Sequence, residues 1–105
     1  MQSMFQNCSR LTNLDISGWD TSKVTNMADM FNGCISLTSL NLSNWNTSRV
    51  AEMEGMFYHC HSLVTLDLRG WNTSNVTNMI YMFNDCTSLK TIYASDSFVT
   101  TRVSA

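Results

Sequence analysis

Cysteine stands at positions 8, 34, 60 and 86, so each lies 26 residues beyond the last. The other large side chains keep the step: Met4-Phe5, Met30-Phe31, Met56-Phe57 and Met82-Phe83 precede the cysteines, and Trp19, Trp45 and Trp71 follow them. Leu11/Leu37/Leu63/Leu89, Leu14/Leu40/Leu66/Ile92, Ile16/Leu42/Leu68/Ala94, Val24/Val50/Val76 and Met1/Met27/Met53/Met79 complete the consensus M-F-x-x-C-x-S-L-x-x-L-x-L-x-x-W-x-T-S-x-V-x-x-M-x-x. A unit of 26 residues is too small to bury an apolar face alone, so the units must stack and share one core. Residues 1–105 therefore read as a single array, with phases starting at Met4, Met30, Met56 and Met82.

Within a unit, Leu40 and Leu42 alternate with polar Ser39, Asn41 and Ser43, the period of a half-buried strand. Equivalent strands one period apart cannot pair as hairpins, so they are expected to stack in parallel at about 4.8 Å. Val24, Met27, Met30, Phe31 and Cys34 have helical spacing, and Asp20-Thr21-Ser22, Asn46-Thr47-Ser48 and Asn72-Thr73-Ser74 resemble helix caps. A short helix is expected from near residue 23 in each phase, with 3₁₀ turns as the alternative suggested by Asn26, Gly33 and Gly55. With one residue inserted, Phe98-x-Thr100-Thr101-x-Val103 overlays Trp71-x-Thr73-Ser74-x-Val76. The pattern is still running there, and we expect a longer parent array whose uncapped ends allow end-to-end self-association.

The segment Met30-Phe-Asn-Gly-Cys34-Ile-Ser-Leu37-Thr-Ser-Leu40-Asn-Leu42-Ser-Asn-Trp45-Asn-Thr47-Ser48-Arg-Val50 carries every position of the fuller pattern M-F-x-x-C-x-S-L-x-x-L-x-L-S-x-W-x-T-S-x-V, and the unit from Met56 departs from it only at Arg69, where the pattern has Ser. This pattern resembles the BspA-type leucine-rich-repeat surface proteins of bacteria. The resemblance implies an α/β fold: a right-handed leucine-rich-repeat-like solenoid of about four coils, with one parallel β-sheet and short helices or 3₁₀ turns on the other side. In place of the usual Asn it has Trp, so an indole is expected to close the turn. The resemblance also implies an extracellular or cell-surface location and a host or neighbouring-cell protein as partner. It brings no catalytic motif.

Charged residues are 13% of the chain, about half the usual share of roughly 25%, and Lys and Arg number six against a net charge of −2. That excludes an electrostatic footprint for nucleic acid or for an anionic membrane. No apolar run reaches the roughly 20 residues of a spanning helix, so direct membrane insertion is not expected.

The four cysteines lie in one column, where side chains run parallel at about 4.8 Å, whereas a disulfide needs converging Cβ atoms near 3.8 Å. A buried free-thiol ladder is favoured over bridges between neighbouring units. His59-Cys60-His61 is the one local group resembling metal ligands, but neither C-x-x-C nor H-x-x-x-H spacing occurs. Its histidines read as surface residues, and no metal or other cofactor is expected.

The candidate binding face comprises Asn13, Asp15, Ser39, Asn41, Thr65, Asp67, Thr91 and Tyr93, which alternate outward from the strands. Two carboxylates a whole unit apart, about 9–10 Å, are too distant to share one calcium ion. A similar spacing serves inverting glycosidases, but nothing in the sequence indicates a cleft or a raised carboxyl pKa, so a hydrolase using Asp15 and Asp67 ranks last. The Thr-Ser columns are better explained by turn hydrogen bonds than by ice binding. A non-enzymatic protein-binding or adhesion module is the favoured reading, and a passive stalk or scaffold is the alternative.

Overall fold

Apolar and polar residues alternate after each L-x-x-L step, and such a segment becomes a strand because one face packs on the core while the other stays solvated. The computed structural model describes residues 1–96, Phe98 and the backbone of Val103–Ser104. Its strands are β1 (Ser39–Asn41), β2 (Thr65–Leu68), β3 (Met79–Ile80), β4 (Thr91–Ala94) and β5 (Val103–Ser104). A parallel sheet of order β1-β2-β4 runs along one side, with Ser39, Thr65 and Thr91 in one row and Asn41, Asp67 and Tyr93 in another. Each row follows the 26-residue step, so the sequence period is also the pairing register. A second parallel ladder joins Asn26, Glu52 and Asn78 and continues as β3 paired with β5.

The expected helix is absent among the described residues. The N–H groups of Met27, Asp29, Phe31 and Gly33 donate to the carbonyls of Glu52, Glu54, Met56 and Tyr58 in the next unit, at 2.8–2.9 Å. Between them, the N–H groups of Met30, Asn32 and Cys34 turn back to the carbonyls of Met27, Asp29 and Phe31, at 3.4, 3.1 and 3.1 Å. Every second N–H thus leaves its own unit, which an α-helix does not allow. A helix is also about 10–12 Å wide, whereas strands stack at about 4.8 Å, so a ladder of turns keeps one spacing on both sides. The turns reverse through left-handed residues: Asp29 at φ 56° and Gly33 at φ 79°, then Gly55, His59 and Tyr81 at 60° and Asp85 at 61°. These sit at the third position of i→i+3 turns, where type II geometry requires positive φ. The apolar spacing that suggested a helix is reproduced by this run of turns, because Met27, Met30, Phe31 and Cys34 all reach the core.

The first unit departs from the expected strand per unit, since residues 11–16 do not pair with β1. At the other end Phe98 stacks on Trp71 at 6.5 Å, as the overlay with one inserted residue requires. Thr100 and Thr101 lie outside the described residues, and Val103 pairs with Met79 instead of overlying Val76.

The core is a set of columns. Phe5, Phe31, Phe57 and Phe83 stack at 5.5, 5.6 and 5.8 Å with their planes within 6°. Trp45 and Trp71 are buried, and each indole N–H donates to the carbonyl of Ile16 or Leu42 in the preceding unit at 2.9 Å. The indole does close the turn, but its rings meet phenylalanines: Trp19 with Phe5, and Trp71 with Phe57 and Phe98. The buried Thr21 hydroxyl donates to the Asn46 carbonyl and accepts from the Asn46 N–H, and Thr47 treats Asn72 in the same way. These threonines are staples between units, not helix caps. Close stacking also explains Gly70, where a Cβ would run into the Ser43 carbonyl.

Phe57 is fully buried between two rings of its own column. Phe57→Ala should lower the unfolding free energy by about 3–5 kcal/mol, measured by urea denaturation.

Candidate functional site

The sheet register assembles most of the sequence-predicted face. Ser39, Thr65 and Thr91 lie side by side, next to Asn41, Asp67 and Tyr93. Asn13 and Asp15 stand apart from them because the first unit does not pair with β1. The gap forms an open pocket of about 340 Å³ lined by Asn13, Leu14, Asp15, Ser17, Ser39 and Asn41.

The inner row is more ordered than solvated strand residues need be. Asp15 accepts from the Ser17 hydroxyl at 2.8 Å and from its N–H at 3.3 Å, and Asn41 accepts the same pair from Ser43 at 2.7 and 3.0 Å. In the third unit arginine replaces that serine. Arg69 forks onto Asp67, with Nη2 at 2.7 Å from Oδ2 and Nε at 3.0 Å from Oδ1, while its backbone N–H donates to Oδ1 at 3.2 Å. The guanidinium carbon also lies 5.3 Å from the centre of the Tyr93 ring, within cation–π range. Asp67 is consequently buried, while the Arg69 side chain is 66% exposed. Arg69 is the face residue that sequence reading missed. Its signal was present as the one departure from consensus in its unit.

Hydrogen bonds from Arg69 hold the Asp67 carboxyl below its ordinary range, against a smaller opposing effect of burial. The Ser17 hydroxyl, followed by the Ser17 N–H, lowers Asp15, and Ser22 lowers Asp20 in the same way. No carboxyl in this set is raised, which is what a general acid would require.

Cys8, Cys34, Cys60 and Cys86 are free thiols in one column. The thiols of Cys34, Cys60 and Cys86 donate to the carbonyls of Phe5, Phe31 and Phe57 at 3.2, 3.2 and 3.0 Å. Burial, with a smaller contribution from Cys8, pushes Cys34 up to about 11, and burial raises Cys86 to about 11. Burial and the neighbouring thiols push Cys60 higher still. His59 and His61, expected to be separate surface residues, gain a neighbour from the next unit, as His59 Nδ1 is 2.9 Å from Asp85 Oδ2.

A protein-family model described as "Mycoplasma protein of unknown function, DUF285" matches residues 1–104. The chain is also similar to the crystal structure of a leucine-rich cell surface protein from Faecalibacterium prausnitzii A2-165, with 26% identity and a TM-score of 0.62 over 91% of this chain. It spans 23% of the length of that protein. No curated protein matches it.

Two outcomes follow from these environments. Native chain at pH 8 should leave Cys34 and Cys60 at least about 100-fold slower than a free thiol toward an alkylating reagent, while denaturation without reductant releases four reactive thiols. Fewer than four would establish a bridge. For the carboxyls, a lowered folded-state pKa means that stability is fully present above the unfolded value of about 3.9 and is lost as pH falls through the lower folded values. Thermal midpoints should therefore be level from about pH 7 to 5 and fall below about pH 4, with a shallower fall in Asp67→Asn.

Proposed function

The chain belongs to the DUF285 family, and from that premise we propose that it is a non-enzymatic protein-binding module of a cell-surface repeat protein. Its units form a right-handed leucine-rich solenoid, and its strand-borne face contacts a host or neighbouring-cell extracellular protein. The observation that carries this reading is the ordered group Asp67–Arg69–Tyr93, beside Asn41 and the open pocket. Scaffold needs alone do not call for it, because serine closes the equivalent turn in the first two units. Fixed polar groups and an aromatic ring offer hydrogen bonds and contact area with little ordering cost on binding. Similarity to a leucine-rich cell surface protein supports the location. The lowered carboxyls of Asp15 and Asp67 weigh against hydrolysis.

A passive stalk is the second reading, favoured by the hydrogen-bonded ladders on both sides of the stack. Display of the chain on cells or beads, screened against extracellular-matrix and cell-surface proteins, separates the two. Combined Arg69→Ala, Tyr93→Ala and Asn41→Ala should weaken a captured partner at least about tenfold while circular dichroism stays unchanged. Undiminished binding would rule out this face, and absence of any partner would favour the stalk.

A further inference from the structure

His59 and His61 belong to the third unit and Asp85 to the fourth, and the 26-residue step brings them together, since 59 + 26 = 85. Both His59 and Asp85 occupy left-handed turn positions, at φ 60° and 61°. His59 Nδ1 lies 2.9 Å from Asp85 Oδ2, and the His61 imidazole stands edge-on to that of His59 with ring centres 5.6 Å apart. One donor atom from each of the three residues falls within 4.8 Å of the others. Ligands held tetrahedrally by one ion at about 2.0–2.2 Å are about 3.3–3.6 Å apart, so small side-chain rotations would converge all three. His61 and Asp85 are exposed and His59 is half-buried, which leaves the group open to solvent. The equivalent positions elsewhere hold Asn7 and Gly33, and Ser9, Ile35 and Thr87, so the trio occurs at one junction only.

We propose that His59, His61 and Asp85 form a site for a divalent cation of the zinc class, shared between the third and fourth units. Two imidazoles with one carboxylate suit Zn²⁺, Co²⁺ or Ni²⁺, whereas Ca²⁺ and Mg²⁺ prefer all-oxygen shells. Three protein ligands leave a fourth position for water or for a donor from another macromolecule. Bound metal pins one unit to the next and selects the folded stack over the unfolded chain. An ion pair between His59 and Asp85 accounts for two of the three groups and assigns no part to His61.

That difference sets the test: calorimetric titration of the intact chain with Zn²⁺ alone, thermal melts with and without Zn²⁺, and absorption spectra with Co²⁺. One ion per chain should bind saturably, and Zn²⁺ at about a hundredfold over its Kd should raise the midpoint by roughly 12 °C. His61→Ala leaves the ion pair in place and should weaken binding at least about tenfold; His59→Ala and Asp85→Ala should do the same. No saturable binding by wild type would overturn the proposal, as would binding unchanged in His61→Ala. Thiolate charge-transfer absorption with Co²⁺ would also overturn it, since the metal would then sit on cysteine. His61 is exposed, so its variant decides the matter even if His59→Ala fails to fold.

Discussion

One stacking distance governs the whole molecule, because hydrogen bonds join successive units along the strand sheet and also along the turn side. Two ladders of equal pitch leave no room for an element wider than a strand. The turn side is therefore built from i→i+3 turns in which alternate N–H groups point to the next unit. Left-handed residues recur there because a chain that reverses this often needs positive φ. Aromatic columns, threonine staples and the close approach at Gly70 fit the same spacing. None of these features stands alone; each needs the neighbouring unit as its partner.

A lattice of repeats turns small departures from consensus into local chemistry. Side chains one period apart become spatial neighbours, so a change in one unit is read against the residue above or below it. Arginine in the serine column reaches Asp67 in its own unit and Tyr93 in the next. One of two histidines flanking a core cysteine, His59, meets an aspartate one period away, and the other, His61, has a donor atom within 4.8 Å of both. Both groups are confined to the third and fourth units, while the units before them keep plainer turn chemistry. In such a fold the repeated positions build the scaffold, and departures from them give a junction its own surface chemistry.

The strands β1, β2 and β4, their parallel order and six of the eight residues placed on the outer rows were legible, because period two and a fixed period of 26 residues leave one pairing register that buries leucine. The indole-closed turn and the free-thiol column, buried at Cys34 and Cys60 and half-buried at Cys8 and Cys86, were legible for the same reason. The turn side was misread: spacings of three and four identify which residues face the core, but do not say whether the N–H groups between them bond within the unit or across it. That residues 11–16 of the first unit do not pair with β1 was not legible either, since their pattern matches the others and only their neighbours differ.

Sequence alone determined the unit length, the core columns and the surface row that carries polar residues, because these follow from side-chain chemistry repeated at a constant interval. Tertiary structure decided which residues of that surface touch. Arg69 with Tyr93, and His59 with Asp85, are contacts made by stacking, and their geometry depends on backbone hydrogen bonds between units that no side-chain pattern encodes. The same bonds replaced the expected helix with turns, since a backbone that can be satisfied by its neighbour need not be satisfied by itself.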